Sequence, residues 1–375
     1  MGVSHLRGMT WDHPRGLDSL VESNALLIQE CGVNIEWTAR SLLAFGDQPI
    51  EEFYRDYDLM VIDHPHVPDA VHAQGIVPFD DLISDDEMSE LARTSAGASH
   101  SSYQYRGKQW ALAIDTAAQV SAFRADKADG SPIFWSDVIA EAKKGNVLWA
   151  HKPVDVFSTF ATLMAQKGKG LYDNFIYVDE VAAVEALEFM AELAGLVPDW
   201  CAQSNPIDAV EVLATTDDFA HAVCMYGYSN YSRANFRKHL VHYDDVPSFD
   251  GRASGSQLGG AGIAVSSASK NREAAAKSAT LLALPKVQTT TYGPNSGQPG
   301  NLTAWKSHHL NQISNNFFGN TLRTLERAWV RPRILGWPDV QFQSSLVIHD
   351  MVTSKKVTSA GISSLNAIFT KYIQE

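Results

Sequence analysis

The chain has 375 residues, is 45% hydrophobic, and carries a formal net charge of -13 at pH 7. That length favours two domains over one, and the negative charge argues against sequence-independent binding to nucleic acid or anionic lipid. No uninterrupted apolar stretch approaches the roughly 18 to 20 residues of a membrane-spanning helix.

The first apolar run, Leu6 to Met9, leads into Trp11, Asp12, His13 and Arg15. Leu17, Leu20, Val21, Leu27, Ile28 and Cys31 then share one face at helical spacing, with Gly32 as a stop and a strand following near Val33 to Thr38. A polar helix near Ile50 to Asp56 is expected next, then a buried parallel strand over Asp58 to Ile62 that runs into Asp63 and His64. After an acidic stretch comes a hairpin in which Tyr103 and Tyr105 precede Gly107 and Trp110 to Ile114 follow it.

From Asp115 the alternation begins again: a helix over Trp135 to Lys144, a strand over Val147 to Ala150 leading to His151, and helices over Val156 to Gln166 and Glu180 to Ala194. The apolar run Ala220 to Met225 ends at Tyr226, Tyr228, Asn230 and Tyr231. A strand over Ala261 to Val265 precedes an Ala-rich helix from Arg272 to Leu284, with Ser269 or Asn271 as its cap, and the last third is mostly helical, ending in a helix near Ala360 to Tyr372. Repeated strand and helix units of this kind read as parallel α/β, in which ligands bind outside the carboxyl ends of the strands.

Four apolar runs each followed by polar groups therefore predict a cleft for a small polar molecule. Trp11, Trp149, Tyr226, Tyr228, Tyr231 and Trp337 are candidates to stack on the C–H faces of a sugar ring; Asp12, Asp63, Asp115, Gln119, Asn230, Ser296 and Gln298 are candidates for its hydroxyls. The segment MTWDHPRG, Met9 to Gly16, sets Asp12, His13 and Arg15 before a helix N-terminus, which suits a ligand carboxylate or an ion pair between Asp12 and Arg15.

Asp63, His64, His66 and His72 are metal-ligand types, but His-Pro-His matches no zinc spacing, and no metal or cofactor is expected. The Gly-rich Gly255 to Gly262 and the Ser267 to Lys270 spacing each lack the rest of an enzyme motif. Cys31, Cys201 and Cys224 have no paired spacing and read as small buried hydrophobes.

Ordered segments resemble a known family. Arg106 to Gln119, RGKQWALAIDTAAQ, is similar to the GKxYGLPxDTxxQ crossing of the extracellular solute-binding proteins of ABC transporters, family 1, the sugar-binding group. Phe134 to Ala142, Glu180 to Val197, the stretch GGAGIAVSSASKNREAAAKSATLLALPKVQ from Gly259, and Arg331 to Val340, RPRILGWPDV, resemble further segments of that family in order. The resemblance implies a two-lobed α/β protein of the periplasmic-binding-protein type II fold, with the ligand cleft between lobes 1–112 plus 261–318 and 115–258 plus 320–375. It implies a monomer that closes by hinge motion on a sugar or small carboxylate and presents it to an ABC transporter permease.

No leader is visible before Leu6, so the chain is expected to be periplasmic if a leader was removed and cytoplasmic if it is complete as written. A cytoplasmic chain would favour a lyase, hydrolase or transferase on this fold, using Asp12, His13, Asp63 and His64, or a ligand sensor.

Overall fold

The computed structural model describes residues 2–41, 50–172 and 177–373. They form two compact units, Met1–Thr116 with Gly259–Gln312 and Arg333–Leu335, and Ala117–Leu258 with Ile313–Pro332 and Gly336–Glu375. Residues 313–318 thus group with the second unit.

In the first unit the strand Ser4–Trp11 lies parallel to Val33–Arg40 on one side and to Leu59–Ile62 on the other. The returning strand Leu258–Ser266 pairs antiparallel with Leu59–Ile62, Gly262 facing Ile62, and also with the short strand Ile76–Val77. Alternation along Leu59–Ile62 sends Leu59 and Val61 into a core with Leu6, Leu20, Ile35 and Leu282, and Met60 and Ile62 into one with Met9, Val67, Tyr103 and Ala264. Both faces are covered, which is why this strand reads as an unbroken apolar run.

The expected single helix over residues 17–31 is two, Pro14–Glu22 and Asn24–Cys31. The break at Ser23 is held locally: Ser23 Oγ donates to the Ser19 carbonyl at 2.7 Å, and the Asn24 amide brackets Ile35, donating to its carbonyl at 2.8 Å and accepting its N–H at 3.1 Å. Gly32 ends the second helix in the left-handed conformation, as its position predicts. The polar stretch after residue 49 forms two 3-10 turns, Ile50–Glu52 and Tyr54–Asp56, instead of a helix. The hairpin turns at Arg106 and Gly107 between Gln104–Tyr105 and Lys108–Gln109, shorter than expected, and after Trp110 and Ala111 the separate twelve-residue strand Leu112–Phe123 begins.

In the second unit Leu112–Phe123 continues antiparallel to His221–Tyr226, with Gln119 opposite Tyr226, and to His242–Asp244. Val147–Leu148 runs parallel to His221–Tyr226. The helix Pro153–Gln166 is buried from Asp155 to Met164, and Trp337–Ser354 packs against it, against Glu180–Ala194 and against Ser359–Tyr372. The strand after Asn146 ends at Leu148, two residues sooner than expected, so Trp149 lies just beyond its carboxyl end.

Two features generate measurable consequences. Gly260 has φ +120°, and a Cβ there would lie 2.5 Å from the Asp115 carbonyl oxygen and 2.6 Å from Thr116 Cα, both backbone atoms. Gly260→Ala should therefore cost roughly 2–4 kcal/mol in chemical denaturation; a loss below about 0.5 kcal/mol would contradict this close packing.

Asp155 is the second. Burial pushes its carboxyl up to about 7, with Lys152 opposing and Asp208 adding to the shift. A carboxyl whose folded pKa lies above its unfolded one binds more protons when folded, so its contribution to stability is full below about pH 4 and is lost as pH rises towards 7. Asp155→Asn should remove a decline of up to about 4 kcal/mol across that window; an unchanged pH profile would contradict it.

Candidate functional site

The strand Ser4–Trp11 delivers MTWDHPRG to the N-terminus of Pro14–Glu22. His13 caps that helix, its Nδ1 accepting the Arg15 N–H at 3.0 Å, and Pro14 occupies the first turn where no N–H is needed. Trp11 is buried with its ring over Gly16, where a Cβ would lie 2.3 Å from the indole, so only glycine permits this stack.

Arg15 turns inward. Its Nε donates to Asp115 Oδ2 at 2.8 Å and its Nη2 to Asp115 Oδ1 at 2.5 Å, with Arg15 4% and Asp115 1% exposed. The expected Asp12 to Arg15 ion pair does not form. Asp12 is exposed, and among the described residues its carboxylate has no hydrogen-bond or ion-pair partner. Burial pushes the Asp115 carboxyl up, Arg15 pulls it back, and the charge of Asp63 pushes it up again, which places Asp63 in the same electrostatic cluster.

Asp63 follows the buried strand and accepts the His64 N–H at 2.8 Å, while His64 Nδ1 lies 3.2 Å from Asp63 Oδ1. The buried His64 ring meets Tyr103 edge-on at 6.1 Å between centroids. Gln298 is buried and donates from Nε2 to the Thr116 carbonyl at 3.0 Å; Ser296 is half-buried with φ +75°. The first unit therefore holds the buried Arg15 to Asp115 ion pair with Asp63 in its electrostatic reach and His64 beside Asp63, Trp11 at the strand end, and Asp12 and His13 directly after it.

The second unit supplies a hydrogen-bonded set. Trp149 is fully buried, its ring stacked on His151 at 4.4 Å, and its Nε1–H donates to Thr159 Oγ1 at 3.1 Å. His151 shares a 2.8 Å hydrogen bond between Nδ1 and the Trp149 carbonyl, and burial pushes its imidazole down to about 4. Gln119 donates to the Cys224 carbonyl at 3.1 Å and to Thr159 Oγ1 at 3.5 Å, and accepts from Thr162 Oγ1 at 2.6 Å. Its amide is thus engaged within the unit. Gln257 donates from Nε2 to the Tyr226 hydroxyl at 2.8 Å and to Ser158 Oγ at 3.0 Å.

Tyr231 and Trp337 are placed apart from this set. The Tyr231 hydroxyl donates to Glu211 Oε2 at 2.7 Å, with Arg237 over its ring, and Trp337 is core, edge-on to Phe157 and Tyr177. Tyr228 and Asn230 are buried in the turn after Tyr226. Thr159, Thr162 and Gln257 escape sequence reasoning because an isolated threonine or glutamine carries no pattern; the sole available signal was their polarity at otherwise apolar core positions.

Among the described residues one group has metal-ligand geometry, Asp126, Asp217 and His239, with atoms within 4.8 Å of one another. Both carboxylates also bond the buried guanidinium of Arg124, at 2.6 and 3.3 Å, so the cation held there is an arginine. Cys31, Cys201 and Cys224 are free thiols, and burial raises the pKa of each. No described helix is long and apolar enough to cross a membrane.

No curated protein sequence matches this chain. Among solved structures, the maltose-bound MalE3 of T. maritima is similar over 98% of this chain and 99% of its own, with TM-score 0.80 at 17% identity. An ABC transporter solute-binding protein from Agrobacterium radiobacter K84 in complex with ribitol matches over 99% of each chain, TM-score 0.80 and 16% identity. One from Thermotoga lettingae TMO bound with α-D-tagatose matches over 97% of this chain and 99% of its own, TM-score 0.78 and 18% identity. These likenesses give the chain the two-lobed, periplasmic-binding-protein type II α/β fold. A model of the bacterial extracellular solute-binding protein family matches residues 52–308, more than half of the chain. The protein is therefore a member of the bacterial extracellular solute-binding protein family.

Proposed function

We propose that the protein captures a neutral sugar or polyol and presents it to the permease of an ABC transporter outside the cytoplasm. The observation that carries the choice of a neutral ligand is the Arg15 to Asp115 pair, which commits the Arg15 guanidinium to a carboxylate of the chain itself. A ligand carboxylate would have to compete for an arginine already held bidentately. Asp12, exposed and uncommitted, would accept sugar hydroxyls and repel an acid.

In this reading the two compact units are the ligand-binding lobes, and closure on ligand is the signal read by the permease. The ligand groups of the first unit are then Trp11, Asp12, His13, Asp63 and His64, and those of the second unit Trp149, His151, Tyr226, Tyr228 and Asn230. Arg15, Asp115, Gln119, Gln298, Tyr231 and Trp337 are engaged with other groups of the chain and do not meet the ligand. The similar solved structures bound to maltose, ribitol and tagatose support a polyhydroxylated ligand.

The test is to incubate the purified protein with a mixed pool of sugars, polyols and sugar acids and follow bound and free species by mass spectrometry. One neutral compound retained unchanged, one per chain, is expected; retention of acids alone, or steady conversion into a new mass, would overturn the reading in favour of an acid receptor or an enzyme. Asp12→Ala should weaken binding of the retained compound by about tenfold or more, about 1.4 kcal/mol, with no change in melting temperature. Unchanged affinity would remove Asp12 from the site.

A further inference from the structure

The carboxyl end of the strand His221–Tyr226 carries the proposed solute site, and its amino end opens onto something else. There the second unit holds a cavity of about 430 Å3, within the range of small-molecule sites. At a rise of about 3.3 Å per residue, the Cα of His221 lies about 17 Å along the strand from that of Tyr226. The walls include Lys127, Ser131, Asp137, Glu141, Lys144 and His221.

Two of these charges are committed to each other. Glu141 accepts from Lys144 Nζ at 2.6 Å and from Asn146 Nδ2 at 3.1 Å. Among the described residues, the Lys127 ammonium and the Asp137 carboxylate have no partner. His221 is 4% exposed with no hydrogen-bond partner at Nδ1, and Ser131 Oγ is likewise buried without one. Burial pulls the His221 imidazolium pKa down, so the ring is neutral at pH 7 and able to donate or accept.

The lining charges cancel, two lysines against two carboxylates, which disfavours a phosphate or a simple cation. What stands uncommitted is one cation, one anion and two short-range polar groups. We infer that this cavity binds a small zwitterion of the α-amino acid class, its carboxylate on Lys127 and Ser131, its ammonium on Asp137, and its inner polar edge on His221 Nδ1. It is a second ligand site on a solute receptor, and it stands or falls separately from the sugar reading.

The experiment is NMR of the full chain labelled with 13C-histidine, the His221 signal being assigned by its loss in His221→Gln. Each of the common L-amino acids is titrated to about 10 mM, a range that reaches weak metabolite sites. At least one should move the His221 signal saturably, and Lys127→Met and Asp137→Asn, both at exposed side chains, should each weaken that binding by about tenfold or more while melting temperature stays unchanged. No shift with any amino acid, a shift that survives both substitutions, or a shift produced by neutral sugars instead would overturn the inference.

Discussion

The bidentate contact between Arg15 and Asp115 organises the first unit. Two opposite charges have been taken out of water together, and each is tolerable because the other is 2.5 to 2.8 Å away. Losing one partner would strand the other, at a cost of about 3–5 kcal/mol. The pair also ties the first turn of the helix Pro14–Glu22 to the strand Leu112–Phe123, one hundred residues later. With Trp11 and Arg15 both drawn inward, the intervening Asp12 is turned to solvent.

In the second unit the corresponding order comes from neutral hydrogen bonds. Thr159, Thr162, Gln119 and Gln257 form a connected set that fixes the Trp149 ring by its edge and the Tyr226 hydroxyl by its tip. The Gln257 N–H adds a bond to Thr162 Oγ1 at 2.9 Å, and Ser256 Oγ one to the Gln119 carbonyl at 2.7 Å. Rings held in this way have little conformational freedom left to lose. The first unit is thus steered by one buried ion pair and the second is built on neutral polar links.

Much of this was readable from residue order, for definite reasons. The helix Glu180–Ala194 and the strand Leu59–Ile62 show in the sequence because burial of a stripe, or of both faces, imposes a period. The segment RGKQWALAIDTAAQ shows the resemblance because its Gly107 turns a hairpin at positive φ and its buried Asp115 and Gln119 answer specific hydrogen-bond partners.

Long-range pairing left no such trace. That Arg15 would choose Asp115 over Asp12 depends on which side of the strand end each side chain leaves, and no local pattern encodes it. Gln119, read as a ligand group, is turned into the unit by Thr162 and the Cys224 carbonyl, and Trp337, read as a stacking ring, is a core residue at a helix start. The break at Ser23 likewise follows from Asn24 reaching Ile35 on the neighbouring strand, a contact that helix periodicity cannot report.

The proposed selection of neutral polyhydroxylated ligands rests on Arg15 being already engaged by Asp115. The most direct measurement is calorimetric titration with a series of aldoses and their matched uronic acids under identical conditions. The account predicts that a neutral sugar binds at least about tenfold more tightly than its acid, in wild type and in Arg15→Lys alike once folding is verified. Tighter binding of the uronic acid, abolished by Arg15→Lys, would contradict it.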